Sequence, residues 1–462
     1  MKTRETKKQN RSSVILSEAT DGVNKVRLIG SARAEEEEAC PWEEIDDYSG
    51  RFVVAGYRYN DDNSESENFH PWLAYSTDGG KTWTKSVTTA EEDQAHGQLC
   101  ALTYGGGRFV VAGFRYDSED ASDRYHPWIA YSTDGGKTWT PSTTTSEESQ
   151  PHGELYALAY GGGRFVVAGY RYGGESTSDD YHPWIAYSTD GGETWTPSTT
   201  TSEDSQPHGV LRALAYGGGR FVVAGYRYSV TSGDTTNNYH PWLAYSTDGG
   251  KTWTKSETTS KEEQAHGFLL ALAYGGGRFV VAGHRYGSSS GDTSDNYHPW
   301  LAYSTDGGVT WTPSDTTRSE EQTHGELWAL AYGGGRFVVA GFRHSTGARY
   351  NPWIAYSTDG GETWEKNETT SEESYPEGQL QALAYGGGRF VVAGYRFGYG
   401  SDVSNNYHPW IAYSTDGGKT WTRSVTTADP DQEHGQLYAL TYAPDSYCWK
   451  FGKEEETKET TE

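Results

Sequence analysis

Twelve histidines of this chain fall into six pairs with one spacing. His70 and His96 are 26 residues apart, and the same interval separates His126 from His152, His182 from His208, His240 from His266, His298 from His324, and His408 from His434. One further place in the series holds Asn351 and Glu377, again 26 apart, so both histidines are lost together. Joint loss is what contact between the two positions produces. The first His of each pair opens His-Pro-Trp, which supplies Trp72, Trp128, Trp184, Trp242, Trp300 and Trp410. Upstream of each stands an arginine between aromatic rings: Arg58, Arg115, Arg171, Arg227, Arg285 and Arg396.

Three kinds of chemistry fit this set. The imidazoles and Pro-Trp can brace a loop through hydrogen bonds. Alternatively, imidazole, guanidinium and an exposed aromatic face bind a sugar by polar contacts and stacking. A metal is the third reading, but two imidazoles fall short of a zinc set, and a third ligand has to come from a loop acid such as Glu147. The histidines, tryptophans and arginines named above are therefore the candidate ligand-binding residues, with no catalytic residue, metal or cofactor expected.

These residues recur because the chain repeats. Gly-Arg-Phe-Val-Val-Ala-Gly occurs seven times, starting at Gly50, Gly107, Gly163, Gly219, Gly277, Gly335 and Gly388, with a period of 53 to 58 residues. A fixed period of this size marks one repeat architecture rather than several domains. Four strands read out of each unit, as in 155–160, 164–172, 183–188 and 194–198, with glycine runs and Asp-Gly-Gly as turns. Seven four-stranded units predict an all-β, seven-bladed β-propeller. The first unit begins at its second strand, and an orphan first strand, 435–443, follows the last unit. The C-terminal strand is thus expected to complete the first blade and close the ring. Residues 1–46 form an N-terminal extension, 47–449 the propeller, and 450–462 an acidic tail read as disordered.

Ser-Thr-Asp-Gly-Gly-x-Thr-Trp begins at Ser76, Ser132, Ser188, Ser246, Ser304, Ser357 and Ser414. It resembles the Asp box of the bacterial-neuraminidase-repeat propellers, over residues 50–443. The resemblance places the box between the third and fourth strands, and chemistry agrees that it is a structural turn. Its Asp and Ser accept backbone N–H groups, Gly supplies positive φ and Trp fills the space between sheets. Sialidases of this kind are expected to show an Arg-Ile-Pro motif, an arginine triad, a Tyr–Glu nucleophile pair and a separate Asp acid. The chain has no Arg-Ile-Pro, its arginines are mostly the blade-repeated ones, and no Glu beside a Tyr is expected to single out one blade. The reading is a non-enzymatic multivalent lectin, similar to the seven-bladed propeller lectins, with sites at inter-blade clefts on the face of the loops joining strands two to three and four to one. The alternatives are a protein-interaction scaffold or assembly factor and, behind it, a sialidase-like glycoside hydrolase.

One pair of positions departs from the repetition. Around the invariant Leu of the first strand, the following residue is Cys100, Tyr156, Arg212, Leu270, Trp328, Gln381 or Tyr438. The preceding one also varies, as in Gln98, Val210 and Phe268. Both are expected near the central channel, where a protein partner can dock. Net charge is −26, which repels phosphate backbones and argues against nucleic acid. Glycans or glycoconjugates are the expected partners. The basic N-terminus lacks an apolar stretch of secretory length and no segment is long enough to span a bilayer. A soluble protein, cytoplasmic or exported without a classical signal, is expected. Cys40, Cys100 and Cys448 have no metal-ligand spacing and read as free thiols, with a Cys40–Cys448 bridge as the alternative.

Overall fold

The computed structural model describes residues 50–59, 69–87, 96–116, 125–143, 152–172, 181–199, 208–228, 239–257, 266–286, 297–315, 324–345, 349–367, 377–397, 407–425 and 434–444. Cys40, Cys448, the N-terminal extension and the acidic tail lie outside them. The described residues form seven four-stranded antiparallel sheets. Blade 3 is representative, with strands Gly153–Gly161, Arg164–Tyr172, Tyr181–Ser188 and Thr196–Pro197. The first and third strands are longer than the sequence suggests. The fourth is only two residues, and just beyond it Ser198 donates its amide to the Ile185 carbonyl of the third strand and its hydroxyl to the Lys251 carbonyl of the next blade, both at 2.8 Å.

The ring closes as expected. Gly435–Ala443 pairs with Arg51–Tyr59, so the first blade takes its innermost strand from the C-terminal end of the propeller. At the outer rim the last blade meets the first through Ser424 Oγ and the Val425 amide, both 2.9 Å from the Lys81 carbonyl. The same contact, Ser86 Oγ to the Lys137 carbonyl at 2.8 Å, joins blades 1 and 2.

Phe-Val-Val-Ala is the heart of each sheet. In blade 3, Phe165, Val166, Val167 and Ala168 are at most 1% exposed. Successive side chains of a strand point to opposite faces, so Val166 and Ala168 pack toward blade 4 while Phe165 and Val167 pack toward blade 2. Each core therefore lies between two blades, and no sheet is stable without its neighbours.

Two glycines per blade are fixed by close approach. Gly169 lies against a bulge in the first strand, and a Cβ there would sit 1.9 Å from the Glu154 carbonyl. Gly161 receives the ring of Tyr216 from blade 4, with 2.0 Å left for a Cβ. The bulge removes one residue from the ladder, between Leu155 and Ala157. That residue is Tyr156. Bulges at the equivalent position release Cys100, Arg212, Leu270, Trp328, Gln381 and Tyr438.

The Asp boxes are turns. Ser76 Oγ donates to Asp78 Oδ1 at 2.8 Å and accepts the Gly80 amide at 2.9 Å. Thr82 donates its amide to Asp78 Oδ1 at 2.9 Å and its hydroxyl to Oδ2 at 2.6 Å. The indole N–H of Trp83 reaches the Gly80 carbonyl at 3.2 Å. Partial burial pushes the Asp78 carboxyl up, but the bonds from Thr82, Ser76 and Lys81 outweigh it and hold it below its ordinary range. In six blades an arginine from the preceding blade clasps the turn. Arg51 donates to the carbonyls of Asp134 and Gly135, both at 3.2 Å, and Arg108 pairs with Glu193 at 2.7 Å.

Candidate functional site

The six histidine pairs meet in the clefts between blades. Ring centroids are 4.9 Å apart for His70 and His96, 4.7 Å for His126 and His152, and 5.0 Å for His182 and His208. The remaining three pairs lie at 4.9, 5.1 and 4.8 Å, and all six meet edge to face. Contact across the cleft therefore explains the joint loss. Each arginine stands beside the first His on the neighbouring strand, as Arg58 beside His70 and Arg171 beside His182. In the remaining cleft Arg343 faces Asn351, and the Glu377 carbonyl still accepts the Phe397 amide at 2.8 Å. His152 and His266 make the same backbone bond, to Tyr172 and Tyr286, at 2.9 Å. These bonds lie within one blade, but the junction of blades 6 and 7, which lacks the histidine pair, still packs through Ala340, Ile354, Leu380 and Phe390.

Three of the six tryptophans are too buried to offer a stacking face, and three are half-buried. Trp184, Trp242 and Trp410 are buried, and Trp72, Trp128 and Trp300 pack against the inter-blade cores. Strand alternation turns them inward, each opposite a glycine of the second strand, such as Gly169 opposite Trp184. Residues beside the histidines, such as Tyr125, Tyr181 and Tyr297, add further half-buried rings at this end of the blades. Among the described residues no three His, Cys, Asp or Glu side chains assemble into a metal site.

The bulged residues line a central cavity of about 150 Å³. Cys100, Tyr156, Arg212, Trp328, Gln381 and Tyr438 reach it from six blades. Here the blades differ, and blade 3 is singled out. Glu154 is buried and accepts hydrogen bonds from the hydroxyl of Tyr156 at one oxygen and from Tyr170, 2.5 Å away, at the other. Blade 4 lays the Arg212 guanidinium over the Tyr156 ring, 3.7 Å from its centroid. Burial pushes the Glu154 carboxyl up, while the two hydroxyls and Arg212 pull it down by less. Burial also raises Tyr156 well above the ordinary phenol range, against the pull of Arg212. The Cys100 thiol is likewise pushed up by burial and is held neutral. Blade 6 also pairs Tyr356 with Glu365, at its exposed outer edge. Among the described residues, however, only blade 3 carries a Tyr beside a Glu at the channel, contrary to the sequence expectation. The Glu-Leu-Tyr at 154–156 was visible, and residues two apart share one face of a strand, but nothing in the sequence places that face at the channel.

Blades 5 and 6 hold a second asymmetric pair. His284 Nδ1 lies 3.8 Å from Glu326 Oε2. Burial pushes Glu326 up to about 7 and His284 down to about 3, so both are largely uncharged just below neutral pH.

The profile of the BNR/Asp-box repeat matches residues 74–85, 130–141, 186–197 and 244–255, and that of the BNR repeat-like domain matches 265–434. The chain is a BNR/Asp-box-repeat propeller. Three more boxes, at Ser304, Ser357 and Ser414, make the same Ser–Asp hydrogen bond at 2.8 Å. Among known proteins this Asp-box propeller is similar to a sialidase of Micromonospora viridifaciens, 25% identical over 49% of this chain and 36% of the relative. It is also similar to a sialidase of Bacteroides fragilis (strain YCH46), 25% identical over 60% of this chain and 54% of the relative. The chain thus spans about half or less of the length of these relatives. A solved Trypanosoma rangeli sialidase in complex with sialic acid aligns over 73% of this chain and 56% of its own, at 15% identity and a TM-score of 0.41. The expectation of a non-enzymatic protein is overturned here, because both sequence relatives of this Asp-box propeller are sialidases. No helix among the described residues is long and apolar enough to cross a membrane.

Proposed function

We propose that this propeller acts on carbohydrate and cleaves a glycosidic bond at the channel, with Tyr156 as nucleophile and Glu154 as its base. The convergence of Tyr156, Glu154 and Arg212 in one blade pair out of seven carries this reading. A single substrate needs one asymmetric set of groups, and a symmetric ring offers none until its symmetry is broken. The Tyr156 hydroxyl donates to Glu154, so its proton passes to the carboxylate as the phenol oxygen attacks the anomeric carbon. The bond to the aglycone breaks, its oxygen takes a proton from water, and a second water then hydrolyses the glycosyl-tyrosine. A carboxyl whose pKa is raised by burial is the stronger base for that transfer. The Arg212 guanidinium stabilises charge developing on the phenol oxygen and is placed to hold an acidic group of the sugar. The names of the two sequence relatives support an acidic sugar as substrate.

A test is turnover of a fluorogenic sialoside, with a panel of other aryl glycosides alongside. Wild type is expected to release the fluorophore from at least one, Tyr156→Phe to release none, and Glu154→Gln to lose about 10²- to 10⁴-fold. Absence of turnover across the panel overturns the reading.

A second reading is favoured by the six histidine pairs, whose imidazoles the blade junction does not require. It places sugar-binding sites in those clefts, where weak equivalent sites on one rigid ring gain strength by avidity. Glycan-array binding that disappears when His182 and His208 and the other pairs become Ala, with the fold intact, supports it. An array that stays blank at high protein density refutes it.

A further inference from the structure

Glu154 is connected outward as well as to Tyr156. Its second oxygen accepts the hydroxyl of Tyr170, 2.5 Å away, and the Tyr170 oxygen lies 3.3 Å from that of Tyr172. Tyr170 is buried at 5% exposure, whereas Tyr172 is half-buried at the end of its strand, where the loops begin. Four oxygen-bearing groups thus run in a line from the channel to the loop face: Tyr156, Glu154, Tyr170, Tyr172. The rings are fixed by packing, since Tyr170 and Tyr172 meet edge to face at 5.4 Å and both abut Tyr181.

No other blade has the complete line. Blade 1 holds Tyr438 and Gln436, 3.0 Å apart, but an amide cannot receive and release a proton as a carboxylate does. Blade 7 has Gln379, Gln381, Tyr395 and Phe397, and blade 6 has Glu326 with Phe342. The break in symmetry that makes a nucleophile site in blade 3 extends to the surface in that blade alone.

We infer that Tyr170 and Tyr172 form a proton relay that joins Glu154 to solvent. The proposal rests on the hydrolytic reading for its purpose, but its geometry is independent of it. When Tyr156 gives its proton to Glu154, the carboxyl is protonated in a buried site, and the channel side is covered by the bound sugar. The Tyr170 and Tyr172 hydroxyls, which point inward at rest, first rotate outward, and the carboxyl turns to present the proton taken from Tyr156 to the Tyr170 oxygen. The proton then leaves by a concerted shift. Glu154 passes its proton to the Tyr170 oxygen, Tyr170 passes its own to the Tyr172 oxygen, and Tyr172 passes its own to water. One proton leaves, each hydroxyl ends neutral, and neither phenol ionises at any stage. The reverse sequence restores the Tyr156 hydroxyl after the sugar departs. Tyr170 and Tyr172 are positioning residues in this scheme, because neither touches the reacting carbon.

Two measurements separate the relay from the hydrolytic reading. The first follows the Glu154 carboxyl by ¹³C NMR in protein labelled at glutamate, assigned by its loss in Glu154→Gln, and needs no turnover. Tyr170→Phe removes one hydroxyl donor from the carboxylate and is expected to move its titration midpoint upward. Tyr172→Phe is expected to leave that midpoint in place and slow proton exchange at the carboxyl. The second is turnover. Tyr172→Phe is expected to lower kcat about tenfold at unchanged KM and to raise the solvent deuterium isotope effect. An unmoved Glu154 signal in Tyr170→Phe, or a Tyr172→Phe variant with wild-type exchange and wild-type isotope effect, overturns the relay. Wild type without turnover, but with the expected NMR shifts, overturns the hydrolytic reading and leaves the relay standing.

Discussion

Replacing Glu326 by Gln should stabilise the propeller, and more so as pH rises. Burial lifts this carboxyl from an ordinary 4.5 to about 7, so between those values the folded state holds a proton that the unfolded chain has released. Folded protein binding more protons means that stability falls with rising pH. A rise of about 2.5 units at about 1.4 kcal/mol each gives a loss of about 3 kcal/mol, complete slightly above pH 7. Glutamine has the shape of the protonated acid and cannot ionise, so the variant avoids that loss. It should match wild type near pH 4.5 and exceed it by about 3 kcal/mol at pH 8. With unfolding entropy of about 2.1 cal/mol/K per residue over the propeller, this corresponds to about 4 °C in Tm. Scanning calorimetry of both proteins at pH 4.5, 6, 7 and 8 reads it directly. Parallel Tm curves, or a variant less stable than wild type at pH 8, would show that Glu326 is ionised in the folded state and refute the reasoning.

Other features give sharper local tests. Gly161→Ala drives a Cβ to 2.0 Å from the Tyr216 ring and should cost about 1–3 kcal/mol by overpacking. Gly163→Ala meets nothing within 4 Å but sits at φ +77°, so it should cost only about 1 kcal/mol of backbone strain in urea titrations. Deleting residues 436–462 removes the strand that pairs with Arg51–Tyr59. The truncated chain should lose cooperative unfolding or melt at least 10 °C lower, and an unchanged Tm would mean that the ring closes otherwise. The Asp-box carboxyls are held below their ordinary range, so their contribution is present above about pH 4 and is lost as pH falls through the lowered values. Stability should therefore drop below about pH 4, less steeply in an Asp78→Asn variant followed by fluorescence of the box tryptophans.

Much of the architecture is legible because repetition multiplies each weak signal. Gly-Arg-Phe-Val-Val-Ala-Gly fixes the second strand to the residue, and the orphan strand at 435–443 predicts the closure that the sheet containing Arg51–Tyr59 shows. The histidine contacts follow from the loss of both partners at Asn351 and Glu377. What could not be read was direction. Trp184 and its equivalents look like ligand-stacking residues beside a histidine, yet pairing opposite a glycine sends them into the core. The Glu154–Tyr156 pair was hidden for the opposite reason. Residues two apart share one face of a regular strand, so nothing marks them until the bulge at Tyr156 tips one toward the channel. Arg212 belongs to another blade, and its approach to Tyr156 is a property of the ring.

The central claim is that the channel of blade 3 performs glycoside cleavage through Tyr156. Its most direct measurement is mass spectrometry of the intact protein after mixing with a glycosyl fluoride of an acidic sugar that carries a second fluorine on the carbon next to the anomeric centre. The covalent intermediate of such a substrate breaks down slowly. The account predicts one added glycosyl unit per chain, mapped by proteolysis to Tyr156 and absent from Tyr156→Phe. An unlabelled protein, or a label that persists in Tyr156→Phe, would contradict it.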